Sequence, residues 1–264
     1  MVIDYAKARR GLHPKAGART IYDNMSKDEI CKTWFELVGR DKVESILLNN
    51  GYRIRPCVAF HKTTRRGPYT FPNKIIGFTP SSINQVWVSD ITYYIVVENG
   101  RPKHFYLTFV MDLFSRKILG FAVSDRLFTE DTTLTALQMA LNSRKAKRKN
   151  QLNRLILHSD GGSQYIDKKF IAKLAFFGIT SSMGKQAYEN PNAERLNGTI
   201  KNDYLIPWDV VSLSQLKLST PRAVKLYNED RIHSALNKLT PCQFENSLSQ
   251  QFLSSMSHLY PSAI

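Results

Sequence analysis

Cysteine is scarce in this 264-residue chain, and one long stretch of it has no acid. The three cysteines, Cys31, Cys57 and Cys242, stand far apart with no C-x-x-C pair, and no histidines are spaced to complete a zinc site. Neither a disulfide framework nor a structural zinc is expected. No run approaches the roughly 18 apolar residues of a membrane span. The N-terminal MVIDYAKARRGLHPKAG lacks the uninterrupted apolar segment of a secretory signal. These absences predict a soluble intracellular protein with no membrane partner.

Between Glu44 and Asp90 there is no acid, whereas Arg53, Arg55, Lys62, Arg65, Arg66 and Lys74 all fall there. A second block, RKAKRK at Arg144 to Lys149, has five bases in six residues. Over the whole chain 37 Lys and Arg face 22 Asp and Glu, a formal net charge of +15. A chain so far from neutrality repels itself unless its partner is a polyanion, and nucleic acid is the first candidate. Such segments bind phosphate by releasing counterions, with affinity that falls steeply with salt and ignores sequence. Either block also reads as a solvated loop or linker.

The length suits one large domain, or a core with a smaller appendage. Residues 1–55 read as a small helical, helix-turn-helix-like DNA-binding region. GARTIYDNM is one expected helix, and SKDEICKTWFELV another, opened by Ser26 with Glu29 as a capping box. A third, in GRDKVESILLNNGYRIR, stops at Asn50-Gly51. Residues 56–80, with four prolines and no acid, read as an extended basic linker. Strand signals follow at 85–97, 103–115 and 117–124, joined by ENGRP and SR turns into an antiparallel meander. TEDTTLTALQMALNSR reads as a helix, RLILHSD (154–160) as a doubly buried strand, and DKKFIAKLAFFG (167–178) as a helix ending at Gly178. ITSSM is a fifth strand and AERLNGTIKNDYLI a further helix. The order βββαβαβα is that of an α/β ribonuclease H-like fold, a mixed five-stranded sheet with flanking helices. The core with its helical C-terminal extension is expected over 81–246 and a tail over 247–264.

Three acids sit where carboxylates are costly or oddly placed. Asp90 lies inside an aromatic and β-branched strand, Asp160 at the end of a buried one, and Glu194 near a helix start. A buried unpaired carboxylate costs several kcal/mol, and a divalent cation with hard oxygen ligands compensates it. LHSDGGSQY leaves Asp160 open between a turn residue and a ligand. At about 100° per residue Glu194, Gly198 and Lys201 share one stripe, and Ala193, Leu196, Ile200 and Tyr204 another that packs on the core. The first stripe reads as a metal ligand with a phosphate contact beside it, or as a surface ion pair. Among the neighbours, Asp112 reads as the cap of the SRK turn, and His158 as either a satisfied core histidine or a site residue. Ser163, Gln164 and Asn192 read as helix caps or DNA contacts. Trp87, Tyr93 and Tyr94 read as packing; Trp208 is either packing or a base-stacking platform.

VWVSDITYY, DLFSRKILGFAVS, LHSDGGSQY, NPNAERLNGTIKNDYL and YNEDRIHSALNKLTPCQFE, in that order, resemble the integrase-core (DDE-type) transposases of bacterial insertion sequences, specifically the second-frame product of the insertion sequence three group. The resemblance runs from about residue 8 to residue 246. It implies that Asp90, Asp160 and Glu194 are the catalytic, metal-binding triad and that Lys201 is the family's basic residue seven positions after its glutamate. Two Mg²⁺ per site, with Mn²⁺ able to substitute, would serve end cleavage and strand transfer. Lys201, Lys185, Arg195, Arg65 and Arg66 are the expected DNA-binding residues. The partners implied are terminal inverted repeats and target DNA, a homo-oligomer on that DNA, and a first-frame product to which this chain is fused. The setting implied is the bacterial cytoplasm, at the nucleoid. Ile232 stands where the family commonly has proline. The family's usual gap between second aspartate and glutamate is thirty-five residues; here Gly161 to Ala193 gives 193 − 161 + 1 = 33. The shortening falls in GKQAYENPN and leaves the register of Glu194 and Lys201 intact. Two other readings stand beside this one, a non-catalytic DNA-binding regulator or decayed copy, and a ribonuclease H-type nuclease.

Overall fold

The structure, a computed structural model, describes residues 1–31, 38–54, 71–98, 100–185 and 189–259. Cys57, Arg65, Arg66 and most of the expected linker therefore lie outside the described residues. Among the described residues no helix is long and apolar enough to cross a membrane.

The N-terminal region has its own core. Helices α1 (Val2–Leu12), α2 (Ala18–Met25) and α3 (Arg40–Asn49) bury Val2, Ala6, Ile21, Met25, Val43 and Leu47 against Cys31 and Tyr52. Helix α1 has no counterpart in the sequence reading, because its buried face is only Val2 and Ala6, too little to give a visible period. Ser26 is not the cap it was expected to be. It ends α2, its hydroxyl donating to Asp23 O at 3.2 Å, while Asp28 Oδ1 takes the Ile30 N–H at 3.0 Å. The helix after it opens at Glu29, and residues 32–37 lie outside the described residues. Polar latches dock this region on the rest. Arg9 Nη1 grips both Asp230 oxygens at 3.0 and 2.8 Å, His13 bridges Asp230 (2.8 Å) and the Tyr204 hydroxyl (2.9 Å), and Lys238 pairs with Asp23 at 2.6 Å.

The five-stranded sheet has the order β3-β2-β1-β4-β5. Strands β1 (Val86–Glu98), β2 (Arg101–Asp112) and β3 (Ile118–Ser124) form the antiparallel meander. Strand β4 (Ile156–Ser159) returns parallel to β1, and β5 (Thr180–Met183) lies parallel to β4. This is the ribonuclease H-like arrangement expected. Side chains alternate across β1. Trp87 faces a core with helices α4 (Thr133–Ser143) and α5 (Lys168–Phe177), while Val86 and Val88 face one with α6 (Pro191–Thr199) and α7 (Leu213–Glu229). Helix α5 ends as expected at Gly178, whose φ of 74° is the left-handed conformation of a helix-terminating glycine. The last helix, α8, runs Pro241–Leu259, so the segment expected as a tail from 247 begins as helix. Nothing in SLSQQFLSSMSHL breaks a helix before Pro261.

Two contacts tie these layers together. Gly120 of β3 lets α4 approach closely, since a Cβ there would lie 2.1 Å from Ala136 O and 2.6 Å from Ala140 N. Behind the sheet, Asp112 is fully buried, and as expected it caps the turn, accepting from Phe114 N and Ser115 N. Its other oxygen faces Arg144, which also pairs with Glu245 of α8; Lys117 and Ser115 complete the cluster at 2.9 and 2.7 Å from Glu245. The first arginine of RKAKRK is thus spent inside the protein, and the exposed bases of that block are Lys145, Lys147, Arg148 and Lys149.

Gly120→Ala should destabilise by about 3 kcal/mol, because backbone atoms of α4 must move; a urea midpoint that does not shift would contradict this. The cations around Glu245 hold its pKa down, from 4.5 to about 2, despite burial. A depressed folded pKa adds stability that is full above the unfolded value and is lost as pH falls from about 4.5 to about 2. That difference is worth about 3 kcal/mol. Glu245→Gln should remove it, and its denaturation midpoint should lose the matching acid-side pH dependence.

Candidate active site

The parallel pairing of β1 with β4 decides the centre of the site. Val86 lies beside Ile156, Trp87 beside Leu157 and Val88 beside His158. Each pair is offset by 70 residues, the spacing that also separates Asp90 from Asp160 just beyond the last paired residues. With a side-chain period of two, Asp90 lies on the face of Val88, which is also the face that α6 covers. Asp160 follows the last residue of β4, and its Oδ1 accepts from Gly162 N at 3.1 Å. A Cβ at Gly162 would sit 3.1 Å from the same oxygen, so the glycine keeps the turn tight against the carboxylate. The turn reading of Asp160 holds.

Glu194 arrives on α6, which starts at Pro191, a residue suited to the first helical turn. The loop before it is tied down on both sides. Asn190 donates to Ser89 O at 3.0 Å, and Glu189 accepts from Asn73 at 2.7 Å and from Lys185 N at 2.9 Å. Ala193, Leu196, Ile200 and Tyr204 are all buried, as their periodicity predicts, leaving Glu194 and Arg195 exposed. Beyond Thr199 the helix loosens into a π turn, Ile200–Leu205, so the 100° stripe no longer describes Lys201. Lys201 turns towards β1, where its Nζ donates to Thr92 Oγ1 (2.7 Å) and Tyr93 O (3.2 Å). Burial lowers its pKa, opposed by the charge of Asp90. Lys185 is exposed at the start of the loop.

The electrostatics join the three acids. Asp90 is pushed up to about 8, first by burial, then by Asp160, then by Glu194. Asn197, one turn along from Glu194, donates to Asp90 Oδ2 at 2.8 Å and works the other way. Asn197 drew no attention in the sequence, and its one signal is the i+3 spacing from Glu194. Among the described residues no group of three His, Cys, Asp or Glu side chains is close enough together to hold a metal ion. The acids are neighbours in an open set. Their chemistry still fits Mg²⁺, a hard ion that binds through one or two carboxylates and keeps waters and phosphate oxygens as its other ligands. Such an ion would also relieve the repulsion that Asp160 and Glu194 exert on Asp90.

Several neighbours resolve to structural roles. His158 is a satisfied core histidine: Nε2 donates to Glu189 O at 3.2 Å, Nδ1 lies 2.9 Å from Ser182 Oγ, and burial lowers its pKa. Ser163 and Gln164 do not cap the next helix. They lie inside a single helical turn, Gln164 donates to Leu127 O, and Asp167 caps α5 instead. Asn192 is likewise inside α6, where its side chain accepts from Arg116 and makes no cap bond. Trp87 and Tyr94 are buried, and Trp208 packs edge-on against Tyr204 beneath Arg222.

Two integrase core domain models match the chain, over residues 80–188 and 178–241. A protein of Mycobacterium tuberculosis described as a transposase for insertion sequence element IS986/IS6110 is 30% identical over 237 residues, covering 87% of this chain and 81% of the relative. This chain belongs to the insertion-sequence transposases with an integrase core. Transposase InsF of insertion sequence IS3A from Escherichia coli K12 is 33% identical over 172 residues, covering 64% of this chain and 56% of InsF. The HTLV-2 integrase catalytic core domain superposes with a TM-score of 0.46 at 21% identity, covering 61% of this chain and 96% of that one. The transposase is a DDE-type polynucleotidyl transferase that recombines DNA.

In the metal-free transposase Asp90 should titrate near pH 8, and Asp160→Asn should bring it down. A folded pKa above the unfolded 3.8 means that ionising Asp90 opposes folding, so this group favours the folded state less as pH rises from about 4 towards 8. Carboxyl-carbon NMR checks both statements, and an ordinary carboxylate titration with all three acids intact would contradict them.

Proposed function

We propose that Asp90, Asp160 and Glu194 are the catalytic acids of this transposase and its ligands for divalent metal. The observation that supports this is the β1–β4 pairing, which ends two residues short of Asp90 and Asp160, together with the burial and the charge of Asp160 that leave Asp90 needing a proton or a cation. Two bound Mg²⁺, with Mn²⁺ able to substitute, would supply Lewis-acid stabilisation of the attacking and leaving oxygens of an in-line displacement. The chain's own part is positioning and charge. Asn197 fixes one oxygen of Asp90, and the Asx turn fixes Asp160. Lys201, tethered to β1 through Thr92, keeps a cation on the strand that carries Asp90 and beside the DNA backbone. Lys185 and Arg195, both exposed, are proposed phosphate contacts, and Arg65 and Arg66 further ones.

In the first step water attacks a phosphodiester at the end of the element, breaking the bond to the 3′-oxygen and leaving a 3′-hydroxyl. In the second, that hydroxyl attacks a target phosphodiester, so that one P–O bond forms as another breaks. No protein nucleophile is required. The substrates are the terminal inverted repeats and a target duplex, and the working form is a homo-oligomer on that DNA, joined to the first-frame product at the nucleoid.

A gel assay with labelled element ends, target duplex and Mg²⁺ tests this on the chain alone and on its fusion with the first-frame product. Asp160→Ala should reduce both cleavage and joining by about 10³-fold or more, the scale on which single electrostatic groups act, while leaving DNA affinity largely intact. Normal strand joining by that variant would refute the assignment. Metal-dependent cutting without joining would favour a plain nuclease.

A further inference from the structure

A basic cleft runs between the N-terminal region and the core. Arg9 and Lys15 line one wall, Arg195 and Arg231 the other, around a cavity of about 480 Å³. A smaller hollow of about 160 Å³, lined by Arg10, Lys15 and Arg53, continues from it, sharing Lys15 and Ile54. Two acids reach the cleft and both are already committed, Asp203 to Arg231 at 2.9 Å and Asp230 to Arg9 and His13 at 2.8 Å each. Among the described residues no acid pairs with Lys15, Arg53 or Arg195. These three cations therefore follow one another along the cleft with their charge unanswered. Arg195 adjoins Glu194 on α6, so the track begins beside a proposed catalytic acid.

We infer that this cleft is a second DNA site, which holds the sugar–phosphate backbone of a strand that also engages the catalytic acids. The inference rests on the reading of the acids given above. The main cavity falls within the range of about 300–1,000 Å³ usual for ligand sites. Its lining, with that of the smaller hollow, includes no Phe, Tyr or Trp. The His13 ring there is buried and held by Tyr204 and Asp230, and what the cleft offers is spaced cations, which suit a repeating phosphate. Such contacts set position and register without reading sequence. Because the two walls come from two hydrophobic cores, a strand lying in the cleft adds its own bridge to the Arg9, His13 and Asp230 latch. Binding there would fix the N-terminal region against the helix that carries Glu194.

The test is fluorescence anisotropy of the full chain with a labelled duplex across a salt series. Each phosphate contact contributes about 0.9 to the slope of log affinity against log salt. The double variant Lys15→Gln, Arg53→Gln should lower that slope by about 1.8. A control that removes the same charge from exposed sites elsewhere, Lys168→Gln with Lys217→Gln, should leave it unchanged. Circular dichroism checks folding, and should the double variant fail it, Lys15→Gln alone should lose about 0.9 and Lys15→Arg should restore it. A slope equal to the control's overturns the cleft and leaves the acid assignment standing. A fusion with the first-frame product that cleaves nothing and binds no DNA overturns both.

Discussion

Two like charges forced together are the constraint around which this molecule is arranged. Parallel pairing of β1 with β4 ends just before Asp90 and Asp160, and α6 brings Glu194 to the face that carries Asp90. Burial first, and then the charges of Asp160 and Glu194, keep the proton on Asp90 to about pH 8. Stability alone would favour a different residue there. The rest of the core absorbs the strain: Ser89 O anchors the loop through Asn190, Asn197 takes one Asp90 oxygen, and the buried face of α6 fixes where Glu194 can be.

Charge elsewhere is used in two ways. Inside, it is paired and rigid, as in the Asp112, Arg144 and Glu245 cluster that pins α8 behind the sheet, or the Arg9 and Asp230 pair that docks the N-terminal helices. Along the cleft, three cations have no acid partner among the described residues. Lys15, Arg53 and Arg195 carry part of the net +15 on a surface that suits a polyanion. Composition does not separate the two uses. Arg144 opens the densest basic run in the chain and yet faces inward, because a buried carboxylate lies within its reach.

Much of the fold was legible from residue pattern. The strands follow the β-branched and aromatic runs, α5 stops at Gly178, and α3 stops at Asn50-Gly51. The capping errors share a cause, which is competition among short polar side chains. Ser26, Asp28, Ser163, Asp167, Asn190 and Asn192 are all good cap residues, and which of them caps depends on where the backbone turns. Helix α1 was missed because so small a buried face leaves no period to read.

The sequence by itself determined the class of the sheet, the polyanion-facing charge and the candidate acids, since hydrophobic period, net charge and a carboxylate inside an apolar run are local properties. It also held the spacing of 70 between Asp90 and Asp160, though not its meaning. Only the tertiary structure decided that this number is a strand register, because a parallel pair meets through a crossover whose path no local pattern fixes. It likewise decided that Asn197 serves Asp90, that Lys201 turns to β1 through a π turn, and that Lys15 and Arg195 share a cleft. Those are contacts between residues far apart in the chain, and they exist only once the chain has packed.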